Sequence, residues 1–205
     1  MDDTQSREGD AESIRDCSIC LDLIRKKKTL KCHHSFCAEC IDSVFRIKPA
    51  CPICNTFHGV YIGTQPHGTM TVTQSWKRLP GFDHCQSYVI KYDFPAGIQG
   101  AEHPKPGMRY GSTSRTAFLP ACKEGEKVLR LLRKAFDRRL LFTIGRSVTT
   151  GLNNVITWND IHHKTSTGGG PQWYLIWFGC FGYPDPEYLS RVQEELRLKG
   201  VTEDD

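Results

Sequence analysis

The chain has 205 residues, enough for one medium domain or two small ones, and its 39% hydrophobic and 24% charged residues are ordinary for a globular protein. This composition excludes a chain that is disordered throughout. The formal net charge of +4 counts every cysteine thiol as neutral, so it must be corrected for metal-bound cysteines before it indicates any partner.

Residues 1–13 are predicted to form a loose tail. The first ten residues, MDDTQSREGD, are acidic and lack the apolar segment of a secretory signal. The longest apolar stretch, WYLIWFGCFGY at 173–183, is shorter than the roughly 18 residues that a bilayer-spanning helix needs. We therefore expect no membrane partner and a location in the cytoplasm or the nucleus.

Residues 14–57 are predicted to form a small module that metal stabilises. Seven of the ten cysteines fall between Cys17 and Cys54, in a segment too short to bury a sizeable apolar core. Without an export signal we expect a reducing compartment, where clustered cysteines bind metal rather than form disulfides. Cysteines that are merely buried or redox-active are the alternative, which four correctly spaced pairs disfavour.

Eight candidate metal ligands occur in four pairs: Cys17 with Cys20, Cys32 with His34, Cys37 with Cys40, and Cys51 with Cys54. A close pair presents two ligand atoms from one tight turn, and a tetrahedral Zn²⁺ shell needs two such pairs. The spacing therefore predicts two zinc ions, with His34 rather than His33 completing the second pair. Seven thiolates and two zinc ions lower the net charge to about +1, which argues against a nucleic-acid partner.

Residues 58–205 are predicted to form a second domain that mixes strands and helices. Strand-like runs occur at 69–76, 87–94 and 140–144, between turns rich in glycine and proline. Two amphipathic helices are predicted. The first spans 123–139, with the apolar face Val128, Leu132, Ala135 and Phe136. The second begins with Asp185 as its N-cap, ends at Gly200 and has the apolar face Leu189, Val192 and Leu196.

The ligand order of residues 17–54 resembles that of the RING finger, with one histidine in the fourth position. The resemblance implies a C3HC4 cross-brace with two zinc ions. One ion would be held by Cys17, Cys20, Cys37 and Cys40, and the other by Cys32, His34, Cys51 and Cys54. Sequential pairing, which would group the first ligand pair with the second, is the alternative.

By the same resemblance the module would dock a ubiquitin-charged E2 and orient its thioester for transfer, so it needs no nucleophile of its own. The E2-binding residues would be Ile19, Val44, Pro52 and Ile53. Packing of Ile19 and Ile53 in a small core is the alternative, and the two roles are compatible. Asn55 stands where many RING ligases carry a cationic residue, which predicts weaker priming of the E2.

Five strings after residue 60 resemble the Deltex C-terminal domain: GIQGAEHPKPGMRY (97–110), TAFLP (116–120), LLFTIGRSVTTG (140–151), ITWNDIHHKT (156–165) and GYPDPEYL (182–189). The likeness covers about 58–202. Together with the RING-like module it is typical of the short branch of the Deltex ubiquitin ligases, which lack a WWE region and are linked to Notch signalling. The expected fold is a small zinc-stapled cross-brace RING followed by an α+β Deltex C-terminal domain.

The Deltex resemblance implies a cleft for ADP-ribose or NAD, with Ser147, Trp158, His162 and Glu195 at matching positions. Hydroxyl and imidazole groups can bind ribose or pyrophosphate, an indole can stack, and a carboxylate can accept a hydroxyl proton. A structural role for His162 or His163, and a core position for Trp158, are the alternatives.

Two departures from the Deltex pattern bear on that cleft. Catalytic relatives have a histidine directly before GYPD, whereas this chain has Phe181, whose phenyl ring cannot carry a proton. Residues 173–180, WYLIWFGC, extend the chain where relatives are shorter; they either line the cleft or come from a mis-spliced transcript. We therefore expect nucleotide binding to survive better than chemistry on ADP-ribose.

The sequence features are compatible with three functions. The first is a RING-type E3 ubiquitin ligase that transfers ubiquitin from an E2 to protein substrates, some of them ADP-ribosylated. The second is a non-catalytic module that recognises ADP-ribosylated partners. The third, an ADP-ribosyl transferase in its own right, is disfavoured by Phe181. Both domains also offer surfaces for self-association.

Overall fold

A computed structural model of the protein describes residues 16–147, 150–169 and 181–203. The chain divides into two compact units, Met1–Val60 and Tyr61–Asp205, which we call the first unit and the second unit. Among the described residues, none of the helices has the length and apolar character that crossing a bilayer requires.

In the described residues of the first unit, 16–60, a short hairpin and one helix make up the regular structure: β1 (Lys27–Thr29), β2 (Ser35–Cys37) and α1 (Ala38–Ile47). β1 and β2 are antiparallel, with Lys28 opposite Phe36. The buried cluster of this unit consists of Leu30, Phe36 and Ile41 together with Cys17, Cys37 and Cys51. Because half of the cluster is cysteine, apolar burial alone contributes little to the stability of the first unit.

Where the structure describes it, the second unit consists of a three-stranded antiparallel sheet, two helices and two short hairpins. Its elements are β3 (Thr69–Ser75), β4 (Ser87–Phe94), β5 (Gly97–Ile98), β6 (Arg109–Tyr110), β7 (Thr113–Pro120), α2 (Lys123–Asp137), β8 (Phe142–Gly145), β9 (Val155–Trp158) and α3 (Tyr188–Leu198). In the sheet β4 lies between β3 and β7, while β5 pairs with β6 and β8 with β9. The mixture confirms the predicted α+β class.

One continuous core joins the sheet, both helices and the β8–β9 hairpin of the second unit. The apolar face predicted for α2 is confirmed: Val128, Leu132 and Ala135 are buried, and Phe136 packs against the core. Ile90 of β4 is also fully buried in this core.

The start of α3 differs from the prediction. The N-cap is Glu187 rather than Asp185. The Asp185 carboxylate instead contacts the Lys164 ammonium at 2.7 Å and the Arg191 guanidinium at 2.8 Å. An ion pair with another segment therefore replaces the expected cap.

The apolar face and the end of α3 agree with the prediction. Leu189, Val192 and Leu196 are buried. Gly200 has a φ of 72°, and the Val201 N–H donates to the Leu196 carbonyl at 3.0 Å. A glycine in the left-handed region with this hydrogen bond is the usual way to satisfy the last carbonyl groups of a helix.

Candidate metal centres and predicted cleft residues

The first group of candidate ligands joins two separate parts of the first unit. The Sγ atoms of Cys17, Cys20, Cys37 and Cys40 all lie within 4.8 Å of one another. Cys17 and Cys20 belong to one turn, Cys37 ends β2, and Cys40 lies in the first turn of α1. The β1–β2 hairpin and the start of α1 therefore carry the third ligand pair to the first.

The second group contains the histidine that the spacing predicts. One ligand atom each of Cys32, His34, Cys51 and Cys54 lies within 4.8 Å of the others, and His34 Nδ1 is 3.6 Å from Cys51 Sγ. His33 is exposed and has a φ of 64°, in the left-handed region. The chain thus turns at His33, and His34 joins the cysteines.

The two groups interleave along the chain. The first and third ligand pairs form one group, and the second and fourth pairs form the other. This is the cross-brace grouping that the RING resemblance implies, and the sequential alternative is not observed. A metal ion in one group would therefore join two chain segments, and a ligand pair of the other group lies between them in the sequence.

The turns that carry the first and last ligand pairs share one backbone geometry. The Leu21 N–H donates to the Cys17 carbonyl at 2.8 Å, and the Asn55 N–H donates to the Cys51 carbonyl at 2.8 Å. Leu21 has a φ of 59° and Asn55 a φ of 57°, in a region that asparagine adopts more readily than most residues. Asn55 therefore favours the conformation of its turn.

The donor set fits zinc, because thiolates and imidazole are its usual protein ligands. The Arg25 N–H donates to Cys37 Sγ at 3.2 Å, and the Thr56 hydroxyl lies 3.2 Å from Cys54 Sγ. Hydrogen bonds from the hydroxyl and the backbone N–H of Thr56 lower the pKa of Cys54 to about 6. They favour the thiolate, which is the form that binds metal. Four protein ligands close a tetrahedral shell, so the fitting role is structural.

The residues predicted to bind E2 fall into two classes of exposure. Ile19 and Val44 are half-buried and pack against the small core of the first unit. Pro52 and Ile53 are exposed in the turn between Cys51 and Cys54, with Ile53 51% exposed. Ile53 therefore offers an apolar surface that the core does not use.

The sequence did not predict the two most exposed large apolar residues among those described in the first unit. Leu21 is 82% exposed and Ile47 is 84% exposed. Leu21 directly follows the second ligand of its turn, and Ile47 is the last residue of α1. The exposure of Leu21 could have been predicted from its place in a metal-binding turn, because side chains in such turns have few core residues to pack against.

The structure brings together two of the four predicted cleft residues. Glu195 Oε1 lies 2.6 Å from His162 Nδ1, and Glu195 Oε2 accepts a hydrogen bond from the His162 N–H at 2.8 Å. The His162 side chain is 69% exposed, whereas that of Glu195 is 17% exposed. The carboxylate of α3 therefore fixes an imidazole that faces solvent.

Ser147 and Trp158 stand at opposite ends of the β8–β9 hairpin. Ser147 follows β8 and accepts a hydrogen bond from the Gly151 N–H at 2.8 Å on its carbonyl. Trp158 ends β9 opposite Phe142, and its ring stacks on Phe142 and His163 at 4.3 and 4.2 Å between centroids. Trp158 thus packs against the core. Among the described residues, no hydrogen bond, ion pair or ring contact joins Ser147 or Trp158 to the His162–Glu195 pair.

Of the two adjacent histidines, His163 is buried and fully hydrogen-bonded. Its Nε2 lies 2.9 Å from the Tyr92 hydroxyl and its Nδ1 lies 3.0 Å from the Ile161 carbonyl. Since a carbonyl only accepts, Nδ1 donates and Nε2 accepts in the neutral ring. Burial lowers the pKa of His163 to about 4.

Acidification is therefore expected to destabilise the second unit between about pH 6.5 and pH 4. An unfolded histidine takes up its proton near pH 6.5, whereas the folded pKa of His163 is about 4. The unfolded state binds more protons in this window, so the free energy of unfolding falls as the pH falls, by up to about 3 kcal/mol. Urea unfolding followed by tryptophan fluorescence measures the effect, because all four tryptophans lie in the second unit.

The test variant is His163→Gln. The matched control is His84→Gln, since His84 is exposed. The His163→Gln variant should show a flatter dependence of unfolding free energy on pH than the natural chain, and His84→Gln should not. Equal slopes for the natural chain and His163→Gln would contradict the prediction.

A buried ion network that the sequence did not predict connects the histidine segment to the start of α3. The side chains of Lys164 and Asp185 are 4% and 7% exposed and form an ion pair at 2.7 Å. The Tyr188 hydroxyl donates to the His162 carbonyl at 3.2 Å. The network therefore positions the segment that presents His162.

Of the two departures from the Deltex pattern, the structure describes Phe181 but not the extension. Phe181 is 57% exposed, and its carbonyl accepts a hydrogen bond from the Ser166 N–H at 3.1 Å. The extension 173–180 lies outside the described residues.

The fold and the ligand groups define a ring-finger protein with a second α+β unit. Residues 15–55 match the Ring finger domain and residues 62–201 match the Deltex C-terminal domain. The chain belongs to the Deltex family.

Individual relatives are similar to most of the chain. The probable E3 ubiquitin-protein ligases DTX3 of Mus musculus and Homo sapiens are each 56% identical over 201 residues, which cover 97% of this chain and 56% of the relative. The E3 ubiquitin-protein ligase DTX1 of Xenopus laevis is 41% identical over 181 residues, which cover 85% of this chain and 28% of the relative. The chain thus spans little more than half the length of the DTX3 proteins.

Proposed function

We propose that the chain is a RING-type E3 ubiquitin-protein ligase, which docks a ubiquitin-charged E2 and promotes transfer of ubiquitin to protein substrates. The observation that carries the proposal is the pair of interleaved four-ligand groups, which fix the turn with the exposed Ile53. The names of the similar proteins support it. Such a ligase acts by orienting the E2 thioester, and no nucleophile of this chain is required.

Discharge of ubiquitin from a charged E2 to free lysine tests the proposal, with a panel of E2 enzymes and single-turnover conditions. Ile53→Ala is expected to lower the discharge rate about tenfold, because it removes an apolar contact worth roughly 1–2 kcal/mol. Ile53 is a sharper probe than Ile19, which also packs in the core and whose replacement would disturb folding.

Leu23→Ala is the matched control, since Leu23 is 53% exposed and Ile53 is 51% exposed. Leu23 lies outside the proposed E2 surface, so the control should discharge E2 as the natural chain does. Absence of discharge with every E2 would favour the second candidate function, a binding module for ADP-ribosylated partners. Equal loss in both variants would contradict the role proposed for Ile53. Asn55 is the observation that supports this second candidate.

The second unit is proposed to bind ADP-ribose or NAD beside the His162–Glu195 pair. A solvent-facing imidazole held by a carboxylate can hydrogen-bond a ribose hydroxyl or a pyrophosphate oxygen. The proposal is limited to binding, because the phenyl ring of Phe181 cannot transfer a proton. Binding of ADP-ribose at this cleft would also recruit ADP-ribosylated substrates to the chain that docks the E2.

Calorimetric titration with ADP-ribose tests this cleft. His162→Ala is expected to weaken binding roughly 10- to 100-fold, since a hydrogen bond to a charged group contributes about 1.5–3 kcal/mol. His84→Ala serves as the control, because His84 is also exposed but lies in the segment before β4. Unchanged affinity in His162→Ala, or the same loss in both variants, would contradict the assignment.

A further inference from the structure

Two cysteines of the second unit, Cys85 and Cys122, lie opposite each other and outside both ligand groups. β4 and β7 pair in an antiparallel register. The Ala121 N–H donates to the Gln86 carbonyl at 2.8 Å, which continues that register by one residue. The next opposing positions are Cys85 and Cys122.

The register implies a backbone spacing at Cys85 and Cys122 that a disulfide can span. Because Gln86 and Ala121 share a hydrogen bond, the adjacent pair is a non-hydrogen-bonded one, for which the Cα atoms are about 4.5 Å apart. Disulfides span Cα separations of about 4.4–6.8 Å. Both thiols are free and half-buried.

The two thiols are also near enough to interact electrostatically. Burial raises the pKa of the Cys85 thiol, and the charge and hydrogen bond of the Cys122 thiol raise it further. The pKa of the Tyr88 hydroxyl is raised by burial, by Glu126 and by both thiols. Cys85, Cys122 and Tyr88 thus form one small cluster.

The cluster connects two parts of the second unit. Cys122 directly precedes α2. Cys85 belongs to the loop between β3 and β4, in which the Phe82 ring packs edge-on against Tyr183 at 5.8 Å. The charge of Arg78, an exposed cation, offsets part of the rise in the pKa of Cys85.

We propose that Cys85 and Cys122 form a reversible disulfide, with a low-molecular-weight disulfide such as oxidised glutathione as the oxidant. The first protein thiolate attacks one sulfur of the oxidant, whose S–S bond breaks and releases one glutathione thiolate. The second protein thiolate attacks the mixed disulfide and releases the second glutathione. The protein thiols lose two protons and two electrons, and the oxidant becomes two thiols; excess reduced glutathione reverses both steps.

The experiment treats the purified full-length chain with buffers of increasing ratio of oxidised to reduced glutathione. Free thiols are then alkylated, and tryptic peptides are identified by mass spectrometry. Peptides 79–91 and 116–123 each contain one cysteine, so a linked pair identifies the bond without ambiguity. Zinc release is followed in parallel, and only ratios at which zinc stays bound are compared. The linked pair is expected in most molecules and should disappear in reduced glutathione.

Cys85→Ser and Cys122→Ser should each abolish the linked pair, whereas Cys180→Ser, which removes the remaining cysteine outside the ligand groups, should leave it unchanged. Absence of the linked pair in the natural chain while zinc is bound would overturn the proposal. Preferential linkage of either cysteine to Cys180, or linkage only after unfolding in urea, would overturn it as well. The result is independent of E2 discharge and of nucleotide binding.

Discussion

The His34→Asn variant is expected to bind one zinc ion fewer than the natural chain and to lose the fold of the first unit. The substitution leaves three ligands in the second group, while the buried cluster of this unit contains only three apolar side chains besides its cysteines. Structural zinc contributes about 10–16 kcal/mol in small modules, which exceeds what so small a core supplies. Native mass spectrometry counts the zinc ions, and amide exchange of peptides within 16–57 reports the fold.

His33→Asn is the matched control for this prediction. His33 is exposed, has a φ of 64° and stands outside both ligand groups, and asparagine tolerates this conformation. The control should bind two zinc ions and keep its amide protection. Equal loss of zinc in the two variants, or a full complement in His34→Asn, would contradict the assignment of His34.

Replacement of Asp185 by alanine is expected to lower the free energy of unfolding of the second unit by about 3–5 kcal/mol. The Asp185 carboxylate lies 2.7 Å from the ammonium of Lys164, whose side chain is only 4% exposed. Burial raises the pKa of Asp185, but hydrogen bonds from Lys164 and Arg191 outweigh it and leave the pKa below its usual value. Alanine removes the negative charge that compensates a buried cation. Urea unfolding followed by tryptophan fluorescence measures the loss.

Glu194→Ala provides the control, because Glu194 pairs with Arg197 at 2.7 Å on the exposed face of α3. Both partners are about half exposed, at 52% and 51%, and such pairs contribute less than about 1 kcal/mol. A loss in Asp185→Ala as small as that in Glu194→Ala would show that the buried network does not stabilise the second unit.

Local spacing predicted the metal ligands because each pair lies within one turn. The choice of His34 over His33 follows from the same local geometry, since the backbone reverses at His33. The grouping of the pairs was accessible only through the RING resemblance, because it depends on how the β1–β2 hairpin and α1 return the chain to Cys17. Residue spacing carries no information about that return.

Periodicity likewise predicted the apolar faces of α2 and α3 but not the partner of Asp185. Aspartate before a helix usually caps it, whereas here Lys164, more than 20 positions earlier, takes the carboxylate. A long-range ion pair leaves no periodic signal in the sequence. The same holds for the packing of Trp158 against Phe142 and His163, and for the separation of Ser147 from Trp158 by the length of the hairpin.

Native mass spectrometry of the purified full-length chain, compared with its denatured mass, tests the interleaved coordination most directly. Two bound zinc ions are expected, with the stepwise loss of one in each single-ligand variant of either group. A chain that keeps its folded first unit with one zinc ion or none would contradict the cross-brace and, with it, the rigid surface on which E2 docking is proposed.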